Sequence, residues 1–232
     1  MPILAVTLFG SRARGDSNPS SDIDLLMITA ESSVRHISKG NVSLSLYPME
    51  DLRGRAQTGD LFLCHVLKEG RSLYDPEDRL EALRGAFHLR KSYAREIGHG
   101  ADLGWLLVRF AEAFRPSPLI CRRVAWSVRS ILIARSAEAG DPVFSAAALA
   151  SLAPIPETPR LIAQKEAPTI EPGCIKDLRQ FLTWCGLRDP LPTAQALGDF
   201  AARFETTENS VGLHFLKSTQ GMEELDGSPC YK

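Results

Sequence analysis

The chain has 232 residues, 44 % hydrophobic and 24 % charged, enough apolar matter for one large core or two small ones. Its formal net charge is −1, so no global basic field recruits nucleic acid, and no apolar run approaches the roughly 20 residues needed to cross a bilayer. Five widely spaced cysteines (Cys64, Cys121, Cys174, Cys185 and Cys230) are odd in number and form no Cys-x-x-Cys pair. They argue against a disulfide framework or a structural zinc and for reduced thiols in packed helices. The first apolar stretch lacks the basic n-region and cleavage site of a signal peptide, so the expected location is cytoplasmic.

Ile3 to Phe9 is apolar with β-branched residues, which predicts a short buried strand. Gly10 follows and lets the backbone turn tightly and approach a ligand. Ser11 adds a hydroxyl, and successive backbone N–H groups after such a turn can form an anion-binding concavity. Arg12 and Arg14 each offer a planar fork suited to phosphate oxygens. Gly15-Asp16 reads as a second turn and Asn18-Pro19-Ser20-Ser21 as loop. Asp22 to Ile28 is the next predicted strand. Its alternation puts Asp22 and Asp24 on one side, roughly 6–7 Å apart, and Ile23, Leu25 and Met27 on the other. Two hard oxygen ligands facing one way suit Mg²⁺, which takes one or two carboxylates and completes its shell with phosphates and water. Without a cation such a pair repels. A Gly-Ser turn alone is a weak signal, as is a lone Asp-x-Asp. Their order and spacing between two apolar strands point to a nucleotide–metal site.

Asn41 to Tyr47 alternates polar and apolar, so Asn41, Ser43, Ser45 and Tyr47 share a face, and no Asp or Glu lies on it. Met49–Gln57 is predicted as a helix, broken by Thr58-Gly59. Asp60 to Glu69 is another, with Asp60 as N-cap and Gly70 as stop. Arg71–Tyr74 reads as a short strand. His65 lies among Leu61, Phe62, Val66 and Leu67 and reads as a packed or surface residue rather than a catalytic one. From Pro76 the strand signals vanish. Helices are predicted over 77–89, 102–114 and 119–138. The second aligns Leu103, Leu106, Leu107 and Phe110, and the third Val124, Val128, Ile131 and Leu132. Ser145 caps a helix through Leu152, 153–173 reads as an irregular connection, and helices at 174–186 and 192–205 complete the core. The remaining residues show no period and read as a loose tail. The expected domains are 1–76 (mixed sheet with helices), 77–210 (helical) and 211–232 (tail). The long helix carries Arg122, Arg123, Arg129 and Arg135 around Trp126, either a nucleic-acid contact or a solvated or intersubunit face.

Gly10-Ser11-Arg12-Ala13-Arg14-Gly15, followed by Ser21-Asp22-Ile23-Asp24-Leu25, resembles the signature of the nucleotidyltransferase superfamily related to DNA polymerase β. Within it, the pattern G-S-x-A-R-G then S-D-x-D-L of the minimal nucleotidyltransferase branch is met without departure. Leu61-Phe62-Leu63-Cys64-His65, Glu69-Gly70 and Leu73-Tyr74-Asp75 resemble the end of the same domain. The resemblance implies an α/β (α+β) nucleotidyltransferase fold with a mixed sheet, followed by an α-helical bundle. It implies a triphosphate held by Gly10 and Ser11, with Arg12, Arg14 and Ser21 beside it, and Mg²⁺ (or Mn²⁺) held by catalytic Asp22 and Asp24. The substrate is then ATP or another NTP, and the reaction moves a nucleoside monophosphate, most readily AMP, to an acceptor hydroxyl. That acceptor is a protein in a toxin–antitoxin-like system (AMPylation by an antitoxin), an aminoglycoside-type antibiotic, or, less in keeping with the charge, nucleic acid.

The resemblance also implies a third acidic residue on a neighbouring strand, and here Ser43 or Ser45 stands in that place. Three readings stay open. Two carboxylates suffice; or Glu50 or Asp51 is borrowed from the following turn; or the chain binds nucleotide without turning it over, as a sensor or structural partner. The helical half vaguely resembles the domains that accompany nucleotidyltransferases, including the HEPN type. It lacks the Arg and His, four to six residues apart, of active HEPN nucleases, so an acceptor- or partner-binding bundle is expected rather than a ribonuclease. Relatives often carry a helix before the first strand, so either a truncated start or a surface borrowed from a partner is expected. A homo-oligomer stays open.

Overall fold

In the computed structural model, which describes residues 2–19, 21–153 and 155–219, the two apolar stretches that flank the Gly-Ser turn pair directly. Five strands form one mixed sheet: β1 (Ile3–Phe9), β2 (Ile23–Thr29), β3 (Arg35–Lys39), β4 (Val42–Pro48) and β5 (Arg71–Tyr74), in the order β3-β4-β2-β1-β5. β1 runs antiparallel to β2, with Phe9 opposite Asp24 and Thr7 opposite Leu26. β2 runs parallel to β4, with Asp24 beside Ser43, while β3 and β5 close the two edges in antiparallel pairing. A single helical turn, α1 (Ser11–Arg14), links β1 to the loop before β2. Three further helices follow in this unit: α2 (Met49–Gln57), α3 (Leu61–Glu69) and α4 (Arg79–Ala86).

The period of 2 decides which face is covered. Ala5 and Phe9 of β1, Leu26 and Ile28 of β2 and Tyr47 of β4 are buried in one cluster with Leu52 and Ala56 of α2, Leu63, Val66 and Leu67 of α3, and Leu80 and Leu83 of α4. The buried series Ile28–Leu26 continues on the same face to the half-buried Asp24. Asp60 caps α3 as expected, its carboxylate accepting from the Leu63 N–H at 2.9 Å.

The chain divides into two compact units between Lys91 and Ser92. The second is helical: α5 (Ala94–Phe110), α6 (Pro118–Glu138), α7 (Ala146–Leu152), α8 (Thr158–Ala163), α9 (Cys174–Trp184), α10 (Leu197–Thr206) and α11 (Ser210–Thr219). α5 and α6 approach closely because two glycines remove side chains at the contact. A Cβ at Gly100 would lie 2.9 Å from Ile131 Cγ1, and one at Gly104 would lie 2.6 Å from Ser127 Oγ. Ser127 Oγ donates to the Gly100 carbonyl at 2.7 Å. Asp102, only 3 % exposed, pairs with Arg203 at 2.8 Å; burial pushes its carboxyl up in spite of that partner. Cys64, Cys121, Cys174 and Cys185 are free and buried, and Cys230 lies outside the described residues. Among the described residues no helix is long and apolar enough to cross a membrane.

Several expectations are corrected. β3 is not predicted by the sequence, because Arg35-His36-Ile37-Ser38-Lys39 has no apolar alternation; it is an exposed, charged edge strand. α5 begins at Ala94, eight residues before the predicted start, because Gly98 and Gly100 mask helical propensity. The stretch expected to be irregular contains α8, whose Pro159 sits in the first turn, where a missing N–H costs nothing. The expected loose tail begins as α11, which buries Val211, Phe215 and Leu216 and is capped by Asn209, whose side chain accepts from the Gly212 N–H at 3.1 Å. Residues 220–232 lie outside the description.

Candidate active site

Gly10 stands at the centre of the site. Its φ of 75° and ψ of −158° fall in a region open essentially to glycine alone. A Cβ there would lie 2.9 Å from Asp24 Oδ2. The turn and the carboxylate are thus in direct apposition, as the pairing of Phe9 with Asp24 requires. The Gly10 carbonyl accepts from the Ala13 N–H at 3.0 Å and the Arg14 N–H at 3.1 Å, winding the chain into α1. Gly15, at φ 87°, ends that turn and donates to the Ser11 carbonyl at 2.9 Å.

Arg12 ties the turn to the carboxylate strand. Its Nε and Nη2 donate to the Ser21 carbonyl at 3.2 and 2.8 Å. Ser21 Oγ donates to Asn18 Oδ1 at 3.0 Å and accepts from the Asn18 N–H at 2.9 Å. On the other side of Asp22, the Ile23 N–H donates to the Asn41 carbonyl at 2.7 Å. Asp22 is therefore held from both neighbours, just before β2. An extended chain that keeps the β2 alternation back through Asp22 would bring it to the same side as Asp24.

Arg14 is engaged elsewhere. Its Nε contacts the Asp16 carboxylate at 3.1 Å, and its Nη1 donates to Glu69, the last residue of α3. Glu69 also accepts from His65 Nε2 at 2.7 Å. Burial favours the neutral form of Glu69, but the His65 hydrogen bond and charge, with Arg14, outweigh it and hold the carboxyl below its usual range. Burial likewise works against the Arg14 charge, and Asp16 and Glu69 outweigh it, so its pKa is raised. Both arginines expected as phosphate forks thus have protein partners in the described structure. Sequence reasoning takes His65 as a packed or surface residue and gives Glu69 no role at the site. Their i, i+4 spacing was legible, but Arg14 lies 55 residues from Glu69 and left no local signal.

The strand register places the two serines of β4 relative to the carboxylate strand. Ser43 is the register neighbour of Asp24, and Ser45 that of Leu26. Ser45 Oγ and Tyr47 OH instead meet the two ring nitrogens of His36, at 3.1 and 3.2 Å. The option of borrowing Glu50 or Asp51 is corrected. β4 runs parallel to β2, so the chain from Ser43 to Pro48 travels about 17 Å away from Asp24 before either acid appears. Glu50 is paired with Arg53 at 2.5 Å. Among the described residues no group of three or more His, Cys, Asp or Glu is placed to hold a metal. Asp22 and Asp24 offer two hard ligands, and Gly10 puts no side chain beside Asp24. That set fits a Mg²⁺ ion that takes its other oxygens from phosphate and water, not an all-protein cage.

Residues 1–79 match the family model for Polymerase beta, Nucleotidyltransferase, so this region is a polymerase β-like nucleotidyltransferase domain. A solved nucleotidyltransferase-like protein from Exiguobacterium sibiricum is similar at 17 % identity, over 94 % of this chain and 82 % of that one, with a TM-score of 0.32. No curated protein matches the chain.

Proposed function

We propose that the domain transfers a nucleoside monophosphate, AMP from ATP, to an acceptor hydroxyl and releases pyrophosphate. The observation that carries this reading is the apposition of Gly10 and Asp24, which sets a phosphate-type turn against a metal-type carboxylate with no side chain between them. Asp22 and Asp24 would hold Mg²⁺ (or Mn²⁺), which supplies charge neutralisation on the triphosphate and eases loss of the acceptor proton. The chain's own residues act by position. Gly10 and Ser11 receive the triphosphate, Arg12 fixes the Ser21 carbonyl and with it the start of the carboxylate strand, and the parallel pairing of β2 and β4 sets Ser43 beside Asp24. The acceptor oxygen bonds to the α-phosphorus, the bond to the β-phosphate oxygen breaks, and the hydroxyl proton passes to solvent. Ser43 is not a base at neutral pH, so catalysis rests on positioning and electrostatics.

We assign acceptor or partner recognition to the helical unit, with a hydroxyl of a partner protein, as in a toxin–antitoxin-like pair, ahead of an aminoglycoside-type antibiotic. Nucleic acid ranks below both. Of the four arginines on α6, Arg129 donates to the Phe144 carbonyl at 3.1 Å and Arg135 to the Cys185 carbonyl. Those two hold neighbouring helices rather than forming an open cationic stripe. Buried free thiols accord with a reducing, cytoplasmic setting.

A second reading, a nucleotide-binding module without turnover, is favoured by Ser43 in the place of the third acid. Melting temperature and pyrophosphate release, measured together with Mg²⁺ and ATP, separate the two. Ligand-induced stabilisation accompanied by release supports transfer; stabilisation alone supports the module. Neither effect in the native chain contradicts both.

A further inference from the structure

We infer that Glu69 and His65 of α3 are positioning residues that bracket the phosphate turn at its two ends; the inference rests on the nucleotidyltransferase reading above. α1 has four residues and cannot hold its own shape, because one turn fixes several dihedral angles for very few hydrogen bonds. Its conformation must come from outside. At the exit, Arg14 donates to Glu69, whose side chain is 9 % exposed. At the entry, the His65 ring meets Phe9 edge-on with centroids 5.5 Å apart, and Phe9 immediately precedes Gly10 and pairs with Asp24. His65 and Glu69 are bonded to each other at 2.7 Å. One i, i+4 pair on one helix therefore supports both ends of the turn.

Two features indicate that this pair serves the turn and not α3. A carboxylate at the last residue of a helix faces the negative end of the helix dipole, so Glu69 is locally unfavourable and needs its cationic partner. The end of α3 is also pinned independently. Arg84 Nε donates to the Leu67 carbonyl at 3.0 Å and Arg84 Nη2 to the Gly70 carbonyl at 2.9 Å. Glu69 thus projects from a fixed base, and Arg14 is set by it. The other carboxylate on Arg14, that of Asp16, is 46 % exposed and local, and such pairs restrain little.

The test is a double-mutant cycle on the full chain, read as Kd for Mg·ATP and as KM against kcat. Glu69→Gln is expected to weaken Mg·ATP binding about tenfold, with the rise in KM exceeding any fall in kcat. His65→Asn is expected to act in the same direction. In an Arg14→Gln background, Glu69→Gln should add less than about twofold, because it acts through Arg14. Unchanged Mg·ATP affinity in Glu69→Gln overturns the inference, as do additive effects in the double variant. A native chain that binds no Mg·ATP, or binds it equally after Asp24→Asn, overturns the underlying reading and this inference with it; that result is visible before Glu69 is touched. If Glu69→Gln proves unfolded by its melting curve, Arg14→Lys carries the same test. It keeps the charge and loses the fork, so weakened binding supports the bracket and native affinity contradicts it.

Discussion

Gly10 and Gly15 allow a controlled comparison between backbone strain and damage to the site. Both have positive φ, 75° and 87°. Alanine at Gly15 meets nothing within 4 Å, whereas alanine at Gly10 meets Asp24 Oδ2 at 2.9 Å. The Gly15→Ala change costs the left-handed penalty alone, roughly 1–2 kcal/mol. Gly10→Ala costs about 1–3 kcal/mol for a glycine-only region, plus whatever moves the Asp24 carboxylate out of contact. In a domain of this size, 1 kcal/mol corresponds to about 4–8 °C in melting temperature, so both variants melt earlier by comparable amounts. Function separates them. Displacing the carboxylate by even 1 Å costs on the order of 10²-fold in turnover, so Gly10→Ala loses AMP transfer at a temperature where Gly15→Ala retains most of it. Melting curves and pyrophosphate release on the same preparations make the comparison. Native turnover in Gly10→Ala, or equal loss in both variants, refutes the reasoning.

Ser43→Asp places a third carboxylate beside Asp24 on a strand about 4.8 Å away. The variant is expected to melt below the native chain without Mg²⁺ and to gain more from Mg²⁺ than the native chain does; equal Mg²⁺ shifts contradict that geometry. Burial and the nearby Arg55 lower the His36 pKa from 6.5. Its contribution is therefore fully present above pH 6.5 and is lost as pH falls through the lowered folded value, which urea titrations from pH 8 to 5 measure; a stability that does not decline over that window contradicts it. In the helical unit, Gly104→Ala improves helix propensity yet overpacks against Ser127 Oγ at 2.6 Å and Leu182 Cδ1 at 3.0 Å. A net loss of about 1–3 kcal/mol in denaturant unfolding is expected, and a stabilised variant refutes the close α5–α6 packing.

What the sequence made legible was what local chemistry decides. β1 is readable because its residues are apolar and β-branched, α2 because Thr58-Gly59 stops it, and the start of α3 because Asp60 caps it. The order of Gly10, Asp22 and Asp24 could be read, since a turn between two apolar strands leaves few ways to pair them. Features that depend on distant partners could not be read. β3 acquires strand structure by pairing with β4 and lodging His36 against Ser45 and Tyr47. The first turns of α5 are stabilised by a close approach to α6 that glycine permits and propensity disguises. Arg12 and Arg14 illustrate the same limit at the site. Their chemistry suits phosphate, yet the fold turns one guanidinium to the Ser21 carbonyl and the other to Glu69. The direction of β4, which removes Glu50 and Asp51 from the site, follows from parallel pairing that no local pattern encodes.

The most direct test of the central proposal is label transfer from α-labelled ATP with Mg²⁺, using the native chain and Asp24→Asn side by side in a lysate of the source cells. Pyrophosphate release and a labelled acceptor are expected with the native chain, and neither with Asp24→Asn, whose melting temperature stays close to native. Label transfer that persists undiminished in Asp24→Asn would contradict it.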